Sequence, residues 1–185
     1  LSSLYAQGFV VNYDESKVPE YTLPDPLIFN NGTKVRNKKQ WEKRRSEILK
    51  IFENEVYGVA PEWDGEIISS ELSSDINALN GGAVRKEIKI TLKREDKEQD
   101  MIMLLYLPKS SGPVPLFLGY NFGGNHTVTS EPGIAVTNSW VRNNKEANIL
   151  DNKAKESERG RDASSWQVKE IISRGYGLAT IYYGD

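Results

Sequence analysis

Six consecutive residues, Asn121-Phe-Gly-Gly-Asn-His126, hold the densest concentration of groups able to do chemistry in this 185-residue chain. Gly123 and Gly124 carry no Cβ, so a ligand can approach the backbone closely and meet its N–H groups. Stabilising an oxyanion needs such donors at about 2.7–3.1 Å from the charged oxygen. A plain tight turn would use the same two glycines. His126 is the chain's one histidine. Its imidazole is a natural proton acceptor near pH 7, so it reads either as a general base or as a residue that anchors and lines the loop. Ser164 and Ser165 follow Ala163 without a glycine frame and suit a helix cap better than a nucleophile. Asp185 stands at the end of a strand-like run, where an acid acts or simply hydrogen-bonds. No Gly-x-Ser-x-Gly elbow occurs, so these residues assemble no Ser–His–acid triad by themselves.

The loop must be held by something. Before it, Val114–Tyr120 is almost continuously apolar, the pattern of a strand buried on both faces in a parallel sheet. After a long polar stretch to about Ser165, a short helix is expected with Trp166, Val168, Ile171 and Ile172 inward, stopped at Gly175. A final strand, Tyr176–Tyr183, follows. Strand, glycine loop, helix and strand make a βαβ unit, and ligand sites in such sheets lie at the carboxyl ends of the strands. A connection as long as residues 127–163 is functional or mobile.

Upstream the period differs. Glu66–Ser73, Val84–Arg94 and Met101–Leu107 read as an antiparallel meander. Ile88, Ile90 and Leu92 lie on its inner face and Lys89, Thr91 and Lys93 on a wet one, with turns at Asn80-Gly81-Gly82 and Arg94–Asp100. Residues 38–57 predict a helix capped by Asn37, with a core-facing stripe of Trp41, Ile48, Ile51, Phe52 and Val56, widened by Leu49 and Tyr57, and Gly58 and Pro61 ending it. Residues 8–36, broken by Pro19, Pro24 and Pro26, read as an extended lead-in.

Composition narrows the function. The formal net charge is -2 and the pI about 5.6, so no positive field draws the chain to nucleic acid. Lys34–Arg45 is interleaved with acids and reads as a solvated face. Without cysteine, disulfides and thiolate chemistry are excluded, and one histidine rules out a multi-histidine metal centre. No metal or organic cofactor is expected. No apolar run approaches the roughly 18 residues of a membrane span. Leu1–Gln7 resembles the end of a secretory signal peptide, which predicts a secreted or periplasmic bacterial protein. The last strand-like run, ending at Gly184-Asp185, reads as a domain cut before its closing elements.

At these residues the chain resembles the bacterial glucuronoyl esterases (4-O-methyl-glucuronoyl methylesterase-like), a family of carbohydrate esterases often labelled acetyl xylan esterases. The resemblance rests on Glu55-Val-Tyr-Gly-Val-Ala-Pro61, on Val114-Pro-Leu-Phe-Leu-Gly-Tyr-Asn-Phe-Gly-Gly-Asn-His126, on an Arg-Gly followed by Ser165-Trp166, and on Ile172–Asp185. It spans most of residues 40–185. It implies an α/β-hydrolase fold, an incomplete three-layer αβα sandwich whose antiparallel N-terminal strands lead into a parallel sheet. It implies a serine esterase that cleaves lignin–glucuronoyl esters of xylan, a polysaccharide substrate and a monomeric full-length protein. The family's Gly-[Cys/His]-Ser-Arg-x-Gly elbow, later acid and histidine have no counterpart here. The chain thus reads as an N-terminal part, 37–185 of it hydrolase domain, inactive alone. In such hydrolases the triad histidine follows the nucleophile, which favours a lining or anchoring role for His126. The carried-over positions are Asn121, Phe122, Gly123, Gly124, Asn125 and His126 around the active site, with Arg159 and Trp166 approaching the pocket.

Two other readings stand beside this one. An acetyl xylan esterase of the same fold would look alike at this level. A non-catalytic, β-rich sugar-binding module would instead display Trp63 and Trp140 for stacking.

Overall fold

The computed structural model describes residues 11–185, and the expected signal-peptide remnant, residues 1–7, lies outside them. Contacts divide the chain into one unit ending at Glu62 and another, Trp63–Asp185.

In the first unit a mostly extended segment precedes helix α1 (Lys38–Phe52). Asn37 Oδ1 accepts the Gln40 N–H at 3.0 Å and supplies the expected cap. The helix runs on into a wider turn, Glu53–Tyr57, and stops at Gly58, whose φ of 84° a side chain would resist. Its one buried residue is Arg44, which donates to Asn30 Oδ1 (2.7 Å), Glu47 Oε2 (2.9 Å) and the Pro26 carbonyl. That fork ties the lead-in to the helix. The stripe read as core is not core here. Leu49, Ile51, Phe52, Val56 and Tyr57 are all exposed, and only Trp41 and Ile48 are half-buried.

The second unit is a five-stranded sheet in the order β1-β2-β3-β5-β4. Strands β1 (Glu66–Asn77), β2 (Ala83–Arg94) and β3 (Lys97–Pro108) form the expected antiparallel meander. Between β1 and β2, helical turn α2 (Ala78–Gly81) reverses the chain with Leu79, Asn80 and Gly81 at positive φ. The β2–β3 turn is tighter than expected. Arg94 pairs with Lys97, leaving only Glu95-Asp96 to turn, with Glu95 at φ 55°, so residues 97–100 are strand. Strand β4 (Leu116–Asn121) then leads through the short helices α3 (Ala163–Trp166) and α4 (Val168–Ser173) into β5 (Gly177–Tyr182). β4 and β5 are parallel, from Leu116↔Gly177 to Asn121↔Tyr182. β5 also pairs antiparallel with β3. The sheet is therefore mixed.

Two burial expectations fail. β4 is the edge strand, and Leu116, Phe117, Leu118 and Tyr120 are 47–69% exposed. β5, not β4, occupies the inner place, because the crossover returns it between β3 and β4. On β2 the buried residues are Ala83, Arg85 and Glu87, on the face read as wet, while Ile88, Ile90 and Leu92 are half-buried. The cause is the 127–163 segment, which brings its own polar partners to that face. Glu131 accepts from Tyr106 Oη (2.5 Å), the Leu79 N–H (2.5 Å) and Arg85. Glu87 accepts from the Ala135 N–H (3.0 Å) and Ser73 Oγ (2.9 Å). Buried polar groups satisfied in this way cost little, which permits a charged inner face.

The main core gathers Leu104, Tyr106, Leu178, Val128, Ile134, Val168 and Ile172 between the sheet, α4 and the start of the long segment. A second small cluster, Val141, Ile149 and Tyr182, sits under residues 139–154. That stretch folds back on itself through Trp140↔Lys153 and Asn144↔Ile149, and Tyr182 Oη donates to the Trp140 carbonyl at 2.7 Å. It is an ordered loop with its own core.

Candidate active site

Asn121 closes β4 at its carboxyl end, and the loop to Thr127 is built from there. Asn121 is 1% exposed, and its side chain makes three hydrogen bonds. Oδ1 accepts the Gly124 N–H at 2.9 Å. Nδ2 donates to Asn125 Oδ1 (2.7 Å) and Thr180 Oγ1 (3.1 Å). Asn125 Nδ2 in turn donates to the Ile102 carbonyl of β3 at 2.8 Å. Residues 125–127 form one turn of 3-10 helix, in which Thr127 Oγ1 donates to the Gly124 carbonyl at 2.9 Å. Gly124 sits at φ 98°, and a Cβ there would press on the His126 ring and Thr137.

The two glycines therefore do different work. The Gly124 N–H is consumed inside the loop. The Gly123 N–H has no acceptor among the described residues, and Gly123 borders a cavity of about 440 Å³. Phe122, Arg142, Asn143, Lys145 and Arg161 share that lining. A Cβ on Gly123 would run into the Arg161 guanidinium and into Asp162 Oδ2 at 2.8 Å, so a side chain there would have to displace that ion pair.

The Arg-Gly-Arg stretch explains how Arg161 arrives there. The Gly160 N–H donates to the His126 carbonyl (3.0 Å) and the Asp162 N–H to the Thr127 carbonyl (2.9 Å), laying residues 160–162 along the loop. Gly160, at φ 73°, lies so close to Ser130 that a Cβ would meet its backbone at 2.9 Å. Arg161 forms a two-bond fork on Asp162 (3.0 and 3.1 Å) and also pairs with Glu158. The Asp162 hydrogen bond holds the guanidinium charged. Burial would raise the Asp162 carboxyl, but Arg161 and Thr127 together keep it below the usual range. Glu158, 3% exposed, is pushed up by burial.

Other residues singled out from the sequence fall elsewhere. His126 is fully buried, and neither ring nitrogen has a hydrogen-bond partner among the described residues. Desolvation first, then the nearby Arg159 cation, lowers its pKa, so the imidazole is neutral at pH 7. Arg159 faces away from the cavity and donates to the carbonyls of Glu131 (2.7 Å) and Ile134 (2.9 Å). Trp166 packs on the main core and lies 3.7 Å from where a Cβ of Gly119 would stand. Asp185 accepts the Ile102 N–H (3.0 Å) and Ser139 Oγ (2.9 Å), tying β3 to the long segment.

Arg161 was not read from the sequence. Its signal was the glycine between two arginines, which turns their side chains to opposite sides. The Phe122 and Tyr183 rings, 5.1 Å apart at the ends of adjacent strands, form an exposed aromatic ledge, also unread.

An unclaimed backbone N–H and an arginine thus share one cavity at the carboxyl end of a parallel strand. No family model matches the chain. The carbohydrate esterase MZ0003 of an unknown prokaryotic organism is 47% identical over 184 residues, 98% of this chain and 42% of that protein. The solved structure of a promiscuous CE15 esterase from a marine bacterial metagenome superposes with a TM-score of 0.82 at 47% identity, covering 94% of this chain and 43% of that one. A glucuronoyl esterase from Solibacter usitatus gives 0.78 at 42% identity, covering 91% and 42%. Close homologues of this chain are CE15 carbohydrate esterases, glucuronoyl esterases among them. The chain spans less than half the length of these relatives.

Proposed function

We propose that this chain is the N-terminal part of a serine carboxylic-ester hydrolase acting on plant cell-wall polysaccharide, with glucuronoyl esters between xylan and lignin as substrate. Serine attack on the ester carbonyl puts negative charge on its oxygen, and an acyl-enzyme forms as the alcohol leaves. The nucleophile, acid and histidine of this reaction would lie in the part of the relatives' length that this chain does not span. The part given to this chain is the oxyanion. Gly123 offers its N–H beside a partly closed cavity, whose Arg161 cation is already paired with Asp162 and Glu158. The unclaimed Gly123 N–H at the carboxyl end of β4 is the observation that carries the reading.

The exposed apolar residues of β4 support a further parallel strand at its free edge and a helical layer over its faces, which would complete a three-layer αβα sandwich. Substrate of this kind lies outside the cell, so a secreted or periplasmic protein is the expectation. No helix among the described residues is long and apolar enough to cross a membrane.

The protein expressed from its complete reading frame, assayed on an alkyl ester of glucuronic acid and on acetylated xylan, tests this. Hydrolysis of the glucuronate ester with the larger kcat/KM is expected. Activity on acetyl groups alone would move the assignment to an acetyl xylan esterase, and none on either would refute it.

A further inference from the structure

We infer that Asn121 is a positioning residue for the oxyanion donor, acting through Gly124 rather than on substrate. The inference rests on the proposed role of the Gly123 N–H. It follows from the polarity of one buried chain of hydrogen bonds. At one end is the Ile102 carbonyl, which can only accept, and at the other the Gly124 N–H, which can only donate. Between them the two amides must be oriented head to tail. Asn125 Nδ2 faces Ile102, Asn125 Oδ1 faces Asn121 Nδ2, and Asn121 Oδ1 faces Gly124. A side chain lacking either a donor or an acceptor leaves a buried group unpaired in either place.

The consequence concerns the peptide planes on either side of Gly123. β4 fixes the chain as far as Asn121, whose carbonyl accepts the Tyr183 N–H at 3.0 Å. Asn121 Oδ1 fixes it again at the Gly124 N–H, three residues on. Only Phe122 and Gly123 lie between these anchors. A glycine pair left free would sample many directions. Held at both sides, the Gly123 N–H keeps one direction before substrate arrives, which is what oxyanion stabilisation requires. Thr180 Oγ1 is a second acceptor for Asn121 Nδ2 but no link in the chain to Gly124. That makes it the internal control.

In the full-length enzyme on an alkyl glucuronate ester, Asn121→Ala is expected to lower kcat by about 30–100-fold with KM within about threefold. Thr180→Val should leave both within about threefold. A folded Asn121→Ala enzyme with kcat within threefold of wild type, or a Thr180→Val enzyme as impaired as Asn121→Ala, would overturn the inference. Should Asn121→Ala fail to fold, Asn121→Asp carries the test. It keeps an oxygen for Gly124, and its buried carboxyl stays protonated to donate to Asn125 Oδ1. Its kcat should stay within about tenfold of wild type, and a loss beyond about 100-fold at unchanged Tm would overturn the claim. Amide exchange separates this claim from the activity. The Gly124 N–H should be protected in wild type even if no ester is cleaved, which would fault the proposed activity and not the clamp. A wild-type Gly124 exchanging at open-loop rates would remove the clamp.

Discussion

β4 has two characters along six residues. From Leu116 to Tyr120 nearly every side chain is exposed apolar surface on an unpaired edge, whereas Asn121 and residues 125–128 at its carboxyl end are buried. The contrast separates two ways of making structure. The site loop is self-sufficient, because its hydrogen bonds run to β3, β5 and residues 160–162, all within the second unit. The strand that carries it depends on apolar burial, which needs a covering partner. The geometry of the loop is thus set by polar bonds, while the stability of the strand is left to packing.

Substitutions at the two ends should respond differently. The largest effect is expected at Gly160, where a Cβ would strike the Ser130 backbone and φ is +73°. Gly160→Ala should cost about 3 kcal/mol in urea unfolding of this chain. Next is Arg159→Ala, which leaves the Glu131 and Ile134 carbonyls without their donor and should cost about 2 kcal/mol by the same assay. Leu118→Glu sharpens the contrast. On the bare edge of this chain it should change stability by less than about 0.5 kcal/mol, but in the full-length protein by about 3 kcal/mol. Equal effects in both would mean that nothing covers β4.

Smaller still is an acid effect from His126. Its folded pKa lies below the unfolded value, so the unfolded chain binds a proton more readily. Its contribution is fully present above about pH 6.5 and is lost as pH falls towards the folded pKa. Tm measured from pH 7.5 to 5 should decline, and His126→Gln should flatten part of that decline. Least affected is Trp140→Ala, within about 0.5 kcal/mol, since the ring is exposed and the backbone carbonyl serves Tyr182. Xylan binding by this chain that vanished in Trp140→Ala would revive the sugar-binding module.

The legible parts of the sequence were those with local causes. The Asn37 cap, the Gly58 stop, the meander and the βαβ unit each follow from spacing or a φ requirement within a few residues. The loop after β4 was legible because adjacent glycines after an apolar run are a local signal as well. Illegible were the facts set by partners distant in sequence. The charged inner face of β2 depends on Glu131 and residues 134–135, and hydrophobic alternation pointed the other way. The fold of residues 139–154 rests on two isolated bridges and on Asn148 and Asn152 at positive φ, which leave no periodic trace. The order that makes β4 an edge is a matter of topology, not composition. Arg161 escaped for a similar reason, since its place beside Gly123 is set by Gly160 packing against Ser130.

A crystal structure of the full-length protein with a phosphonate bound to its nucleophilic serine would address the oxyanion assignment directly. The phosphonyl oxygen should lie about 2.7–3.1 Å from the Gly123 nitrogen, with Gly124 still bonded to Asn121. A phosphonyl oxygen more than about 4 Å away, or a Gly123 N–H turned into the loop, would contradict the account.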